Sequence, residues 1–103
     1  MSYAIVWTLE AFASFEKRIE YLAIHFTERE ITNFRERVKE YLKVLQNEPL
    51  IGKKPGRYKN VYIGLIIKPV SLIYRVKTVK KELELLLFVD NRQDPRKIRK
   101  YKA

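Results

Sequence analysis

Apolar residues recur first at helical spacing and then at strand spacing, and this change of period divides the chain into two parts. Residues 3–7 are β-prone and predict a first strand. Phe12, Phe15, Ile19 and Leu22 then follow at intervals of 3, 4 and 3, which predicts an amphipathic helix over residues 9–25. A second helix is predicted over 28–47, with an apolar stripe of Ile31, Phe34, Val38, Tyr41, Leu42 and Leu45.

The ends of both helices have sequence signals. Thr8 is placed to cap the first helix, and Thr27 with Glu30 matches a capping box at the start of the second. Asn47 and Pro49 end the second helix, and the short link between the helices predicts an antiparallel pair. The aromatic residues Trp7, Phe12, Phe15 and Phe34 are expected in the core, whereas Glu16, Lys17, Arg18 and Glu20 are expected on the solvent side.

The second half predicts three strands, over residues 60–67, 70–79 and 83–89, joined by turns that are short enough for hairpins. The last strand is almost wholly apolar, which indicates a central position in the sheet. The simplest packing of these elements is an α+β fold in the order β-α-α-β-β-β. In it a helical hairpin lies on one face of a mainly antiparallel four-stranded sheet. One domain over residues 1–95 is expected, followed by a basic C-terminal tail, 96–103, for which a loose conformation is one expectation.

Positive charge is concentrated in the second half. Residues 1–48 contain seven Lys or Arg and eight Glu, a net charge of −1. Residues 49–103 contain fifteen Lys or Arg and four Asp or Glu, a net charge of +11. Such a distribution favours a polyanionic partner, either nucleic acid or an acidic protein segment, although a solvated basic surface is the plainer alternative.

The composition also restricts the classes of site. The chain has no cysteine and one histidine, His25, so no metal site and no cofactor are expected. The start of the chain does not resemble a signal peptide, and no apolar segment is long enough to span a membrane. A cytoplasmic protein without a membrane partner is therefore the expectation, in agreement with the absence of cysteine.

Polar residues with candidate chemistry follow the last strand and occupy the loops. Asp90, Asn91 and Arg92 come directly after the apolar run, where a rigid sheet can hold them toward a ligand. The alternative is that these polar residues merely end the strand and have no role in binding or catalysis. Candidate polyanion-binding or partner-binding residues are Lys53, Lys54, Arg57 and Lys59 in the loop before the second strand, Lys68 in a turn, and Arg96, Lys97 and Arg99 in the tail.

Five segments carry a resemblance to a known family: Val6-Trp7-Thr8, His25 to Ile31, Asn47-Glu48-Pro49, Ser71 to Val76 and Asp90 to Pro95. Together they resemble the RelE/ParE superfamily, the toxin subunits of bacterial type II toxin–antitoxin modules. In order and at the expected spacing they extend over about 95% of the chain. The resemblance implies a compact α+β domain that is neutralised by an antitoxin with an acidic or amphipathic segment. It also implies one of two activities, cleavage of mRNA on the ribosome as in RelE-like members or inhibition of DNA gyrase as in ParE-like members.

The resemblance assigns candidate catalytic residues one position at a time. Arg92 matches the cationic position after the last strand, whereas Ser71 stands where an arginine is expected and Arg75, on the same strand face, is a substitute. Ile98 is nearest to the C-terminal tyrosine of RelE-like enzymes, with Tyr101 as a displaced candidate. Asp90 is the candidate proton acceptor, or alternatively an ion-pair partner of Arg92 or Lys97.

Ile63 and Leu65 stand where the lysines of RelE-like enzymes would be expected. Because the hydrolytic positions are poorly matched, the sequence favours a non-hydrolytic or weakly active ParE-like toxin that acts on gyrase. Two alternatives remain open. One is a ribosome-dependent mRNA endonuclease, and the other is a degenerate member that only binds its antitoxin or nucleic acid.

Overall fold

The computed structural model describes residues 2–102, which form a four-stranded sheet and three helices. In chain order the elements are β1 (Ala4–Trp7), α1 (Leu9–His25), α2 (Glu28–Asn47), β2 (Val61–Ile67), β3 (Val70–Lys77), β4 (Glu82–Asp90) and α3 (Pro95–Lys102). Both predicted helices are confirmed to the residue. The three predicted strands of the second half are confirmed within two residues at each end.

The strand order is β1-β4-β3-β2, so the apolar β4 is central, as its composition predicts. β2, β3 and β4 pair antiparallel, whereas β1 pairs parallel to β4, which makes the sheet mixed. The fold is therefore α+β with a mainly antiparallel sheet, as predicted. The pairing places the Asp90 end of β4 beside Val70, at the start of β3.

α1 approaches β4 through small residues rather than through the predicted stripe alone. Ala11 is fully buried, and Ser14 accepts a hydrogen bond from the Phe88 amide at 2.9 Å. Thr8 caps the helix as predicted, since its hydroxyl accepts from the Ala11 amide at 3.1 Å. The expectation that Trp7 and Phe12 are core residues is wrong, because they are 39% and 55% exposed. The close approach at Ala11 turns the helix so that Phe12 points outward.

The sheet has apolar layers on both faces. The helical hairpin covers one face, where Phe34, Val38, Leu72, Tyr74 and Leu85 belong to one buried cluster. A smaller cluster on the other face contains Val61, Ile73, Leu87, Val89 and Ile98. Ile98 belongs to α3, and only 5% of it is exposed. Residues 95–102 are thus a helix that packs on the second face of the sheet, and not a loose tail.

Ile98→Ala is expected to lower the free energy of unfolding by about 2 kcal/mol, because it removes a buried branched side chain and leaves a cavity under α3. Arg99→Ala, at the next and exposed position, is the matched control and should change stability by less than about 0.5 kcal/mol. Chemical denaturation of both variants measures the difference. Equal stabilities would show that α3 is not docked on the sheet.

Candidate polyanion-binding groove

A groove lies on the face of the sheet that α3 covers, between α3, the loop before β2 and the β2–β3 turn. We call it the basic groove and define it by eight of its lining residues: Lys53, Lys54, Ile63, Leu65, Lys68, Ser71, Asn91 and Ile98. Three lysines therefore surround an apolar floor. Three of the sequence-predicted binding residues meet here, although they come from two separate loops.

The loop that places Lys53 is fixed by backbone hydrogen bonds. The Lys53 amide donates to the Ile63 carbonyl and the Ile63 amide donates to the Lys53 carbonyl, each at 2.8 Å. The Tyr74 hydroxyl donates to the Pro49 carbonyl and accepts from the Gly52 amide, both at 3.0 Å. A Cβ on Gly52 would lie 2.6 Å from the Tyr74 hydroxyl oxygen, so glycine is needed for this approach. The lysines of the loop thus stand on an ordered backbone.

Tyr74, which supports this loop, interacts with Tyr41 of α2. Burial raises the pKa of Tyr74 far above the usual value for tyrosine, and the neighbouring Tyr41 phenol adds to the effect. Burial likewise raises the pKa of Tyr41. The site therefore stabilises both side chains as neutral phenols, and neither acts as a base.

The stability that these raised pKa values provide is complete below pH ~10, the ordinary tyrosine pKa, and is lost as the pH rises toward the folded-state values. We therefore expect part of the tyrosine absorbance change to appear only at the pH at which the protein unfolds. In Tyr41→Phe/Tyr74→Phe this late step should be absent from a spectrophotometric titration. Complete ionisation of all tyrosines near pH ~10 in the folded wild-type protein would contradict this assignment.

The end of the groove nearest the β2–β3 turn is polar. The Asn91 side-chain amide donates to the Ser71 hydroxyl at 3.1 Å, and the Asn91 backbone amide donates to the Pro69 carbonyl at 3.0 Å. Asn91 Oδ1 is buried and has no hydrogen-bond partner within residues 2–102. The two hydrogen bonds that Asn91 donates therefore fix this end of the groove.

Asp90, a predicted catalytic residue, faces the helical hairpin and not the basic groove. Its carboxylate accepts from Arg18 Nη1 at 2.9 Å and from the backbone amides of Arg92 and Gln93 at 2.8 and 3.1 Å. Arg18 also lies over the Tyr21 ring, with 4.9 Å between the guanidinium carbon and the ring centroid. Asp90 thus ties α1 to the turn after β4. The predicted pairing with Arg92 is much weaker, because Arg92 Nε lies 4.0 Å away and its side chain is 73% exposed.

The structure does not bring Arg75 and Arg92 together. Arg75 bonds to Glu84 at 3.2 Å, and Lys77 lies 3.7 Å from the same carboxylate. Arg92 follows Asp90, which pairs with Val70 five positions before Arg75 along β3. At about 3.3 Å per residue the two arginines are separated by roughly 17 Å along the sheet. They do not form one phosphate clamp.

The remaining candidates surround α3. Tyr101 packs against Tyr58, with 5.5 Å between ring centroids, and Arg57 lies 5.6 Å from the Tyr58 ring. Lys59, Arg96 and Arg99 are exposed, and Lys97 lines the cleft between α1 and the turn that follows β4. These residues extend the positive surface beyond the basic groove, but Tyr101 is not among the groove's lining residues.

Sequence reasoning missed Arg18 and Ser71 as partners of the turn after β4. Arg18 lies on the expected solvent side of α1, next to Lys17, and nothing in the local pattern distinguishes the two residues. Its ion pair spans 72 positions along the chain. Only the parallel placement of β1 beside β4 brings the side of α1 against Asp90.

No His, Asp or Glu lines the basic groove within residues 2–102. The same residues contain no group of three or more His, Cys, Asp or Glu side chains suited to a metal ion. Among the described helices, none has the length and apolar character needed to cross a membrane. The groove can therefore bind an anionic chain, but it offers no carboxylate or imidazole for proton transfer.

Comparison with known proteins gives structural neighbours only. No protein-family model and no curated protein matches the chain. The chromosomal ParDE toxin–antitoxin system of P. aeruginosa contains a chain with TM-score 0.68 and 21% identity, over 86% of this chain and 96% of that one. A RelBE toxin–antitoxin complex of Mycobacterium tuberculosis gives TM-score 0.61 and 20% identity, over 87% and 99%.

A mutant of the E. coli toxin RelE in its free state has TM-score 0.68 and 16% identity, and the match covers 99% of this chain and 95% of the toxin. At such identities the likeness concerns the backbone rather than individual side chains. The match extends over nearly the full length of each of those three chains. The chain therefore has the fold of the RelE/ParE toxins.

Proposed function

We propose that this protein is the toxin of a type II toxin–antitoxin module. Support comes from the shared fold, since the structural neighbours are a ParDE system, a RelBE complex and the toxin RelE. The net charge of +11 on residues 49–103 suits an acidic, amphipathic antitoxin segment that folds on binding. The proposed location is the cytoplasm, where such a partner would be made together with the toxin.

For the mechanism we favour a non-hydrolytic or weakly active, ParE-like toxin that binds gyrase. The observation behind this choice is the dispersal of the catalytic candidates. Asp90 is bonded to Arg18 and two backbone amides, Arg75 to Glu84, and Tyr101 packs on Tyr58. Cleavage of RNA needs a base, an acid and phosphate-binding cations within reach of one bond, and this arrangement does not provide them.

The alternative is a RelE-like endonuclease, and the basic groove supports it. Lys53, Lys54 and Lys68 surround a space that would accept an RNA backbone. In that mechanism lysine would have to perform the proton transfer. A degenerate member that only binds its antitoxin or nucleic acid is the third possibility.

Induced expression in a bacterial host tests the toxin assignment. We expect growth arrest, and recovery when the acidic protein encoded beside this chain is expressed with it. Lys39→Gln, at an exposed position of α2, serves as the control and should arrest growth like the wild type. Normal growth with soluble wild-type protein would contradict the assignment and would favour the degenerate member.

The basic groove is tested separately by binding of a single-stranded RNA oligonucleotide. Lys53→Gln/Lys54→Gln/Lys68→Gln should bind at least about tenfold more weakly at low salt, with a salt slope that is smaller by about 2. The matched control is Lys17→Gln/Lys39→Gln/Lys43→Gln, which removes the same charge from exposed helical positions. Equal losses in both variants would show that net charge, and not the groove, governs binding.

A further inference from the structure

The two edges of the sheet differ in how they are covered. β2 forms one edge, where the preceding loop adds two hydrogen bonds between Lys53 and Ile63. The register also shifts between Leu65 and Ile67 of the same strand. β1 forms the other edge, and within residues 2–102 its one neighbouring strand is β4. The sheet can therefore be extended at β1 by a strand from another molecule.

Two residues of β1 have backbone groups that point away from the sheet. The Thr8 amide donates to the Leu85 carbonyl of β4 at 3.3 Å. Because successive residues of a strand direct their amide and carbonyl groups to opposite sides, those of Ile5 and Trp7 face outward. These groups have no hydrogen-bond partner among residues 2–102. Ile5 and Trp7 thus form a short, unpaired strand edge.

Large apolar side chains along this segment are exposed. Val6 is 38% exposed, Trp7 39% and Leu9 90%. The Trp7 ring is nevertheless held in place, since it stacks on Phe88 at 5.6 Å between centroids and meets Phe15 edge to face at 5.5 Å. An ordered aromatic side chain at an unpaired strand edge is typical of an interaction site, because binding then costs little conformational entropy.

The charge around this edge does not suit a polyanion or an acidic segment. Residues 2–9 carry no charged side chain, and the first charged residues of the chain are Glu10 and Glu16. Glu82 and Glu84 of β4 lie beside β1. An acidic partner would be repelled here, whereas a second copy of the chain brings the same uncharged strip to the contact.

We propose that β1 pairs antiparallel with β1 of a second copy of this chain, about a twofold axis at Val6. In this register Ile5 of each copy lies opposite Trp7 of the other, and every outward amide and carbonyl of the two residues receives a partner. A register centred on Ile5 would place Trp7 opposite Tyr3, whose amide already donates to the Gln46 carbonyl at 2.9 Å. A register centred on Trp7 would place Ile5 opposite the start of α1. The register at Val6 is therefore the one that pairs the whole free edge.

The pairing also covers exposed side chains. Ile5 packs against the buried cluster under the helical hairpin, and Trp7 contacts Phe15 in the same layer, so both lie on one face of the sheet. Trp7 of one copy therefore meets Ile5 of the other, as an aromatic and β-branched cross-strand pair. The Val6 side chains of the two copies meet on the opposite face. Because the strip is short, the association is weak and depends on the protein concentration.

A cysteine at the twofold axis tests both the contact and its register, because the chain contains no cysteine of its own. Val6→Cys places two thiols at a non-hydrogen-bonded pair of positions, where the Cα atoms lie about 4.5 Å apart and a disulfide can form. With oxidised glutathione, we expect Val6→Cys to form a covalent dimer at least about tenfold faster than Val79→Cys. Val79 is the matched control because it is 96% exposed in the β3–β4 turn. Equal rates would overturn the proposal.

Sedimentation equilibrium measures the reversible association of the wild-type chain. The dimer fraction should rise with salt, because screening weakens the repulsion between two copies of net charge +10 each. Val6→Lys should raise the dissociation constant at least about tenfold, since it brings two ammonium groups together at the axis. Leu65→Lys, at a 51% exposed position of the β2 edge, is the matched control and should associate like the wild-type chain.

A wild-type chain that stays monomeric at every concentration would contradict the proposal, as would a dimer that Leu65→Lys weakens and Val6→Lys does not. Protection of the Ile5 and Trp7 amides from hydrogen exchange only after addition of the protein encoded beside this chain would assign the edge to that partner instead. Both lysine variants alter exposed side chains, so they are expected to fold, and their amide spectra verify this directly.

Discussion

Gly64→Ala should lower the free energy of unfolding by about 3 kcal/mol, the upper part of the range for overpacked cores. Gly64 is buried in β2, opposite Leu72 of β3. A Cβ built there would lie 1.8 Å from the Tyr41 hydroxyl oxygen and 2.5 and 2.8 Å from two carbons of its ring. Either the ring must leave its place over the sheet or α2 must move away, and both reduce burial of the core. Denaturant titration gives the difference directly.

A double-mutant cycle with Tyr41→Leu shows whether the clash is the cause. In the Tyr41→Leu background the cost of Gly64→Ala should fall below about 1 kcal/mol, because the hydroxyl and ring atoms are gone. Leu65→Ala, at the next and 51% exposed position, should have a small effect and serves as the control for changes on β2. A cost of Gly64→Ala that is unaffected by Tyr41→Leu would rule out this contact as its origin.

Arg18→Met is expected to lower the free energy of unfolding by about 3 kcal/mol, which is the second large effect. Methionine keeps the apolar stem but removes the guanidinium, and this leaves the Asp90 carboxylate, 5% exposed, without its cationic partner. Two backbone amides still donate to Asp90, so the loss should stay at the lower end of the range for broken buried ion pairs.

Asp90→Asn in the Arg18→Met background should recover at least about 1 kcal/mol, because the uncompensated charge is removed while an acceptor for the amides remains. Lys17→Met, at the neighbouring exposed position, should change stability by less than about 0.5 kcal/mol. An Arg18→Met variant as stable as wild type would mean that Asp90 is hydrated and does not anchor the turn after β4.

The elements of the fold were predictable because each depends on local pattern. The capping box of Thr27 and Glu30 forms as expected, and the hydrogen bond between them lowers the pKa of Glu30. The apolar composition of β4 correctly predicted its central position. The orientation of α1 was not predictable, since the contact of Ala11 with the sheet, and not the size of Phe12, decides which side of the helix is buried.

The site was less predictable because its contacts join residues that are far apart in the sequence. Lys53, Lys54 and Lys68 were recognised as basic, but their common groove depends on the pairing of Lys53 with Ile63. The role of Asp90 depends on Arg18, which lies 72 positions away in the sequence. No local sequence pattern can reveal a contact at that distance. α3 was missed because Ile98 is the only aliphatic residue of a basic segment, and its burial comes from the second face of the sheet.

The most direct test of the proposed function is induced expression followed by primer extension on cellular mRNA and a plasmid-supercoiling assay in the same cultures. The proposal predicts altered supercoiling without new mRNA ends, in wild type and in Arg92→Ala alike. Ribosome-dependent mRNA cuts that vanish in Arg92→Ala or in Lys53→Gln/Lys54→Gln/Lys68→Gln would contradict it and establish an endonuclease.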